Sequence, residues 1–329
     1  MSATSFTTNI AFDKDGIQHN YLRVPHSTNE SAWGSILFPV TVVKNGDGPT
    51  ALLTGANHGD EYEGALALTK LTQNINISQI SGRIIIVPFM NYPALKAGKR
   101  NSPIDGLNLN RCFPGKAYGS ITEKIADYFQ QHLLPLSDYV LDIHSDGKSL
   151  DFVPFAAIHE VEDKYQQQRC VETMEAFGAP YNLILNEIDD AGMYDSAAES
   201  MGKVFVTTEL RGGGTVSPDS MAIAETGINN FLIHTGIKQG ECQITDSTKL
   251  SVTNEKNYIF SSRNGLIEFT KSLGDKVKEK ELIACVYDIS DIIAIPTEFH
   301  SYTEGILAGR HFPGLIQAGD CLAVIAEIV

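Results

Sequence analysis

Short apolar runs rich in β-branched residues alternate with segments of helical periodicity over the first 245 residues. Predicted strands occupy residues 35–43, 50–54, 83–88, 139–143 and 203–208. Predicted helices occupy residues 63–74, 122–134, 163–177 and 218–235, and Thr122 with Glu123 is expected to cap the second. Strands that alternate with helices pair in parallel and are covered by those helices. The pattern therefore predicts an α/β domain.

Two histidines and a glutamate follow the ends of two predicted strands. His58 and Glu61 lie in the turn after residues 50–54, and His144 directly follows residues 139–143. Open α/β sheets form their ligand crevices at the carboxyl ends of their strands. Two imidazoles and one carboxylate form a ligand set that leaves one position of a zinc ion for water or substrate. The sequence predicts a catalytic Zn²⁺ site, and a hydrogen-bonded pair of loop residues is the competing interpretation of His58 and Glu61.

Two further carboxylates stand at strand ends. Glu209 ends the strand at residues 203–208 and precedes three glycines, which indicates close approach of a ligand to the backbone. A carboxylate beside a metal ion can take a proton from water, so Glu209 is the candidate general base. Asp142, two residues before His144, is expected to orient that imidazole, with the cap of a turn as the alternative.

The segment 99–115 is polar and rich in turn residues, yet contains apolar residues, as an ordered active-site loop does. It carries Arg100 and Arg111. Arginine binds carboxylates through a planar fork and stabilises a developing oxyanion. Arg111, which follows Asn110, is therefore expected to bind a substrate carboxylate and Arg100 to polarise the carbonyl that is cleaved. Ordinary surface arginines remain the alternative for both.

The charge balance and the cysteines limit the classes of partner. The formal net charge is −15 without a cluster of Lys and Arg, which argues against nucleic-acid or anionic-membrane binding and favours small-molecule partners. The five cysteines are scattered and form no Cys-x-x-Cys pair, so no disulfide framework is predicted. The start of the chain lacks the features of a secretory signal. We expect a cytoplasmic protein.

Residues 246–329 change to short β-type runs and are predicted to form a second domain. Gly265, Gly274 and Leu282 recur about 40 residues later as Gly305, Gly314 and Leu322, which indicates two half-barrels of similar design. The pattern resembles the barrel-sandwich fold of biotinyl and lipoyl domains. Those domains carry their cofactor on a lysine between the halves. No lysine follows Lys280, so a carrier role is not expected.

These motifs together resemble the succinylglutamate desuccinylase and aspartoacylase family, relatives of the zinc carboxypeptidases. The resemblance is carried by His58 and Glu61 in Gly-Ala-Asn-His-Gly-Asp-Glu, Asn110 and Arg111 in Asn-Leu-Asn-Arg, His144 in Asp-Ile-His, and Glu209 after Thr208. It implies a zinc-carboxypeptidase-like mixed sheet with helices on both faces, over residues 1–245. The second domain, residues 246–329, is then a small all-β barrel-sandwich without a lipoyl group.

The resemblance also implies an activity, hydrolysis of an N-acyl amino acid. Glu209 would take the proton of the attacking water, Arg100 would share the oxyanion with the metal ion, and Arg111 with Asn110 would hold the substrate carboxylate. Residues 54–64, 102–106 and 150–154 favour N-acetyl-diaminobutyrate as substrate within the family. Its ammonium would need an anionic partner, for which the candidates are Glu187, Asp189, Asp190 and Asp195. A homo-oligomer is also implied.

Two positions depart from the family pattern, and two other functions compete. Asp146 and Arg211 stand where family members of this kind usually have glycine, and we expect them to form an ion pair at the mouth of the site. Tyr194 could contact substrate, although an ordinary structural role is favoured. A zinc carboxypeptidase acting on short peptides would use the same metal set. A metal-free binding protein is the alternative from another class.

Overall fold

The computed structural model describes residues 4–185 and 191–329. The first part of the chain alternates strands with helices. Its strands are β1 (Gly16–Pro25), β2 (Ser35–Asn45), β3 (Thr50–Gly55), β4 (Gly82–Val87), β5 (Tyr139–His144), β6 (Leu150–Phe152), β7 (Phe155–His159), β8 (Tyr181–Leu185) and β9 (Val204–Glu209). Its helices are α1 (Glu63–Asn74), α2 (Tyr92–Ala97), α3 (Ile121–Tyr128), α4 (Lys164–Phe177), α5 (Tyr194–Glu199) and α6 (Pro218–His234).

The carboxy-terminal part is built from strands. They are β10 (Thr248–Val252), β11 (Tyr258–Phe260), β12 (Gly265–Phe269), β13 (Lys276–Val277), β14 (Leu282–Tyr287), β15 (Thr297–His300), β16 (Gly305–His311), β17 (Leu315–Ile316) and β18 (Cys321–Ile328). The series β12, β13, β14 repeats as β16, β17, β18. The repeated glycines, Gly265 and Gly305, begin the first strand of each series, as the sequence repeat predicts.

The main sheet is mixed and has a parallel centre. Its strand order runs β1-β2-β4-β3-β5-β9-β7-β8-β10-β18-β16-β13. The four neighbours β4, β3, β5 and β9 are parallel to one another, so their carboxyl ends lie at one edge. Strand β7 runs antiparallel to β9 but parallel to β8. Together with the antiparallel pairs β1/β2, β2/β4 and β10/β18, this pairing makes the sheet mixed, in agreement with the predicted fold class.

Helices cover both faces of the central strands, because successive strand residues point to opposite sides. On β3, Leu52 packs into a core with residues of α3 and α5, whereas Leu53 packs into a second core with α1, α4 and α6. On β5, Val140 and Leu141 divide in the same way. All four are buried completely. The strands therefore read as continuous apolar runs in the sequence.

Helix α3 differs from its prediction at both ends. Ser120, not Thr122, caps it: Ser120 Oγ accepts a hydrogen bond from Glu123 N at 3.4 Å, and Glu123 Oε2 accepts one from Ser120 N at 2.9 Å. This reciprocal pair satisfies two backbone donors at once, which Thr122 cannot do from inside the first turn. At the other end the α-helix stops at Tyr128, and Phe129–Leu133 form a single π-turn.

Strand hydrogen bonds continue from the first part of the chain into the carboxy-terminal part. Strand β10 pairs in parallel with β8 and antiparallel with β18, and β6 pairs with β16. A separate four-stranded antiparallel sheet has the order β15-β14-β12-β17. The domain boundary between residues 245 and 246 stays a prediction. Within the described ranges, no helix combines the length and apolar character that crossing a membrane requires.

Candidate active site

Three parallel strands deliver the predicted site residues to one edge of the sheet. His58 lies in the turn after β3, while His144 and Glu209 are the last residues of β5 and β9. His144 and Glu209 are direct partners in the β5/β9 register, and Gly55 of β3 is paired with Ile143. Because side chains at paired positions of parallel strands point the same way, the sheet itself places these groups side by side.

His58, Glu61 and His144 form a compact cluster. Glu61 Oε1 lies 2.7 Å from His58 Nδ1, and Glu61 Oε2 lies 2.8 Å from His144 Nδ1. One donor atom from each residue lies within 4.8 Å of the other two. All three side chains are buried. Two imidazole nitrogens and a carboxylate oxygen converging on one point fit the donor set of a zinc site with three protein ligands.

A hydrogen-bonded carboxylate holds the imidazole of His144. Asp142 Oδ2 accepts a hydrogen bond from His144 Nε2 at 2.8 Å, as predicted for an orienting group. Thr54 Oγ1 donates to Asp142 Oδ1 at 2.7 Å, and Asn57 Nδ2 donates to Oδ2 at 3.0 Å. An ionised carboxylate can only accept a hydrogen bond, so this contact requires a proton on His144 Nε2 and directs Nδ1 towards the cluster.

An amide performs the same task for His58, and sequence analysis gave this residue no role. His58 Nε2 lies 3.1 Å from Asn108 Oδ1, so Nδ1 again faces Glu61. Asn108 begins the Asn-Leu-Asn-Arg motif from which only Asn110 and Arg111 were selected. Because metal-binding histidines usually donate their second N–H to an oxygen, a search for such an acceptor could have found Asn108.

The buried charges of the cluster shift one another's protonation. Burial opposes ionisation of Glu61, but the neighbouring His58 and His144 outweigh it and lower the pKa of this carboxyl well below its usual value. Burial also disfavours a charged His144, yet Asp142 and Glu61 raise its pKa well above the usual value. The pKa of His58 is lowered, chiefly by burial. The site therefore keeps Glu61 ionised, which a metal ligand requires.

Glu209 stands beside this cluster as an unsatisfied carboxylate. The residue is partly buried, and its Oε2 atom is buried without a hydrogen-bond partner among the described residues. Burial, followed by the negative charges of Asp146 and Glu61, raises the pKa of Glu209 well above its usual value. A buried oxygen left unpaired is costly, and such groups concentrate where a ligand completes the site. The orphaned oxygen and the donor cluster together fit a metal ion with a water molecule.

The predicted substrate-binding residues border the same site. Arg100 Nη1 lies 3.5 Å from Glu61 Oε1, which brings one cation to the cluster. Asn110 is buried, and its Oδ1 accepts a hydrogen bond from Tyr194 N at 3.0 Å. Arg111 donates from Nη1 to the carbonyl of Asn110 at 2.8 Å. Both cations thus lie at the carboxyl edge of the sheet, where the segment 99–115 was expected to contribute.

A cavity of about 280 Å³ joins the catalytic edge to the carboxy-terminal strands. Its polar lining comes from Arg111, Asp146 and Glu209. Its apolar lining comes from both parts of the chain, namely Phe152, Phe155, Leu183, Leu185, Val252, Tyr258, Ala308 and Val324. A pocket-shaping role of the carboxy-terminal domain was expected from the sequence, but its individual wall residues were not identified. No motif marks them, because they are ordinary strand residues placed there by pairing between distant strands.

The predicted ion pair between Asp146 and Arg211 is wrong. Asp146 Oδ1 lies 3.9 Å from Arg100 Nη1, whereas Arg211 Nε lies 4.0 Å from Asp151 Oδ1. Asp151 also binds Arg310 of β16, with Oδ2 2.9 Å from Nη2. Asp146 and Arg211 do share a backbone feature, positive φ angles of 52° and 80°. Glycine adopts this left-handed region at least cost, so both positions carry some backbone strain.

The other predicted site residues are the possible substrate contact Tyr194 and the four candidate partners of an ammonium group. Tyr194 is completely buried and packs against Phe113 with ring centroids 5.0 Å apart, so it belongs to the core. Asp195 Oδ2 lies 3.9 Å from His159 Nε2. Glu187, Asp189 and Asp190 lie outside the described residues.

Known proteins resemble this chain over most of its length. Residues 47–235 match the model of the succinylglutamate desuccinylase/aspartoacylase catalytic domain. The chain is 52% identical over 322 residues to the N-alpha-acetyl-L-2,4-diaminobutyric acid deacetylase of Halomonas elongata, covering 97% of this chain and 94% of that protein.

Solved structures show the same likeness over the whole chain. The product-bound ectoine utilization protein EutE (DoeB) from Ruegeria pomeroyi is 51% identical, with a TM-score of 0.98 and coverage of 99% of this chain and 100% of that one. A succinylglutamate desuccinylase from a Silicibacter species is also 51% identical, with a TM-score of 0.97 and coverage of 100% of both chains.

Proposed function

This chain belongs to the succinylglutamate desuccinylase/aspartoacylase family, and on that premise we propose that it is a zinc-dependent hydrolase that deacetylates N-α-acetyl-L-2,4-diaminobutyrate. Cleavage of the amide bond of a small N-acyl amino acid is the activity that the family and its deacetylase relative support. The metal and the particular substrate are the finer parts of the proposal. One observation carries it: the convergent donor atoms of His58, Glu61 and His144 beside the unpaired carboxylate of Glu209.

The residues that would hold zinc are His58, Glu61 and His144. If zinc were held there, it would supply polarisation of the amide carbonyl and a water molecule whose pKa is lowered to about 7. Asp142 and Asn108 hold both imidazoles in the orientation that turns Nδ1 towards Glu61. Such outer contacts are worth about 10–100-fold in metal affinity.

Glu209 is assigned the proton transfers. Its carboxylate takes the proton of the attacking water and passes it to the nitrogen of the leaving amine, a contribution of about 10²–10⁴ in rate. Arg100, beside Glu61, stabilises the developing oxyanion. Arg111 and Asn110 hold the α-carboxylate of the substrate.

The shape of the cavity supports a small acyl amino acid as the substrate. Strands of the carboxy-terminal part supply one apolar wall, with Val252 and Val324 among its residues. A cavity enclosed on this side accommodates a single amino acid more readily than a peptide. A cytoplasmic location and a homo-oligomer stay predictions.

Metal analysis and amine release test the proposal together. The purified protein should contain about one zinc ion per chain and release amine fastest from N-α-acetyl-L-2,4-diaminobutyrate among N-acetyl amino acids, N-succinyl amino acids and short peptides. Glu225→Gln, an exposed substitution on α6, serves as the control variant. Faster cleavage of peptides would favour a carboxypeptidase. No bound metal, and no activity on adding zinc, would instead indicate a metal-free binding protein.

A further inference from the structure

Asp146 is a buried carboxylate that the proposed reaction does not use. It is 9% exposed and lines the same cavity as Glu209 and Arg111. Within residues 4–185 and 191–329, no group donates a hydrogen bond to its side chain. Among the described residues, the cation in ion-pair range is Arg100, whose Nη1 lies 3.9 Å from Asp146 Oδ1 and closer, at 3.5 Å, to Glu61 Oε1. Asp146 therefore enters the cavity without a full partner of its own.

The backbone holds Asp146 firmly in this position. Asp146 and Gly147 have consecutive positive φ angles of 52° and 56°. A Cβ atom on Gly147 would lie 2.6 Å from Asp60 Cγ, and Asp60 Oδ2 accepts a hydrogen bond from Lys148 N at 3.1 Å. The turn is thus packed against Asp60. Strained residues fixed by their surroundings concentrate at ligand sites, because the packing must outweigh the strain.

The carboxylates around the cavity are not equivalent. Glu61 is bound by both imidazoles, and Glu209, beside the cluster, is assigned the proton transfers. Asp146 has neither task. A carboxylate removed from water without hydrogen bonds is unfavourable unless a cation reaches it. Among the described residues that line the cavity, Asp146 is therefore the carboxylate that still needs a cation as its partner.

We propose that Asp146 binds the free ammonium of a cationic N-acyl amino acid and so selects diamino substrates over neutral ones. The inference rests on the proposed function and extends it to side-chain specificity. Arg111 and Asp146 line one cavity with opposite charges, which matches a substrate that carries an α-carboxylate and a side-chain ammonium. Of the earlier candidates for this role, Asp195 lies beside His159 instead.

A pair of isosteric substrates tests this role. N-acetyl-L-norvaline has a methyl group where N-α-acetyl-L-2,4-diaminobutyrate has its ammonium. For the zinc-loaded wild-type enzyme we expect kcat/KM to favour the diamino substrate by at least about tenfold, the effect of roughly one charge-assisted hydrogen bond. In Asp146→Asn that preference should fall at least about tenfold, because the diamino substrate loses its counter-charge while the norvaline substrate no longer faces a buried carboxylate.

Controls separate this role from positioning and from failure of the proposed function. Asn and Gly both tolerate the left-handed backbone, so Asp146→Asn and Asp146→Gly should keep the fold and the zinc content. Asp151→Asn removes an equally buried charge outside the cavity lining and should leave the preference unchanged. Equal losses on both substrates in Asp146→Asn would mean that Asp146 only positions Arg100, and would overturn the inference alone. A wild-type enzyme that cleaves neither substrate would overturn the proposed function, and the inference with it.

Discussion

The catalytic edge of the main sheet and the carboxy-terminal strands differ in how completely their buried polar groups are paired. Near the site, Asn57 Oδ1, Asp60 Oδ1 and Glu209 Oε2 are buried, and the part of the chain that the structure describes gives them no hydrogen-bond partner. Residues 246–329, all of them described, contain no such side-chain atom. Buried polar groups without partners are costly, and a fold retains them where a ligand supplies the missing contact. Among the described residues, the unpaired buried atoms therefore belong to the first part of the chain, both at the site and away from it, as at Thr72 Oγ1.

Backbone strain divides the two regions in the same way. Four residues other than glycine have positive φ angles within the described ranges. Three of them, Ala56, Asp146 and Arg211, lie within two residues of the ends of β3, β5 and β9, beside His58, His144 and Glu209. The fourth, Lys280, lies in a turn of the carboxy-terminal part. The carboxy-terminal core, by contrast, is an apolar cluster that includes Ile283 and Leu322. Function concentrates strain at the sheet edge, where strong packing of the central strands can support it.

The largest effect that this comparison predicts is on catalysis. Glu209→Gln keeps the size of the side chain but removes the proton acceptor, so kcat should fall by about 10²–10⁴. Zinc content should not change. The measurement is amine release from an N-acetyl amino acid, beside Glu225→Gln as a matched control on the exposed face of α6. Wild-type rates in Glu209→Gln would show that another group moves the proton.

A core substitution in the carboxy-terminal region should affect stability and leave the chemistry intact. Leu322 is completely buried in the apolar core of that region and does not line the cavity. Leu322→Ala should lower the free energy of unfolding by about 2–5 kcal/mol through the cavity it creates. Urea unfolding measures the loss, and kcat of the folded fraction should change little. A proportional fall in kcat would mean that the two regions are not separable in this way.

Removing the charge behind His144 should weaken metal binding. Asp142→Asn keeps an oxygen acceptor but loses the carboxylate that raises the pKa of His144, so zinc affinity should fall by about 10–100-fold. Competition with a chelator measures it. Asp138→Asn is the matched control, because Asp138 accepts a hydrogen bond from Thr50 N at 2.8 Å at the opposite end of the strands. If both variants lose zinc equally, the effect is structural.

The smallest predicted effect is on how the stability of the metal-free protein changes with pH. The pKa of Glu209 is raised in the folded state, so its favourable contribution is present below the usual value near 4.5 and is lost as pH rises through the folded-state value. Above that value, metal-free Glu209→Gln should be more stable than the metal-free wild type by about 1 kcal/mol, with the difference shrinking as pH falls towards 4.5. Urea unfolding with a chelator at several pH values tests this. A difference that grows towards acid would contradict the assignment.

Much of the architecture could be predicted because it depends on local periodicity. Helix α1 spans Glu63–Asn74 as predicted, and strands β3, β5 and β9 lie where apolar runs were found. Strand β1 was missed because its residues alternate between exposed and partly buried positions at the edge of the sheet, without a continuous apolar run. Strand β7 was missed as well, and its antiparallel pairing with β9 has no local marker.

The site shows the same limit. His58, Glu61, His144 and Glu209 could be selected because each follows a strand that ends at the same edge. The partners of Asp146 and Arg211 could not be predicted, since residue type and position in the sequence do not give the direction of a side chain. The pairing of Arg211 with Asp151, which also binds Arg310 of β16, depends on how β6 meets a strand more than 150 residues away.

The sequence by itself determined the order of strands and helices and the chemical types that stand at strand ends, because periodicity and turn residues act over a few neighbours. Only the tertiary structure decided which nitrogen of each imidazole faces Glu61, which carboxylate stays unpaired in the cavity, and which carboxy-terminal residues close it. Those outcomes depend on distances between residues remote in the chain, and strand pairing with core packing sets them to within a few tenths of an ångström.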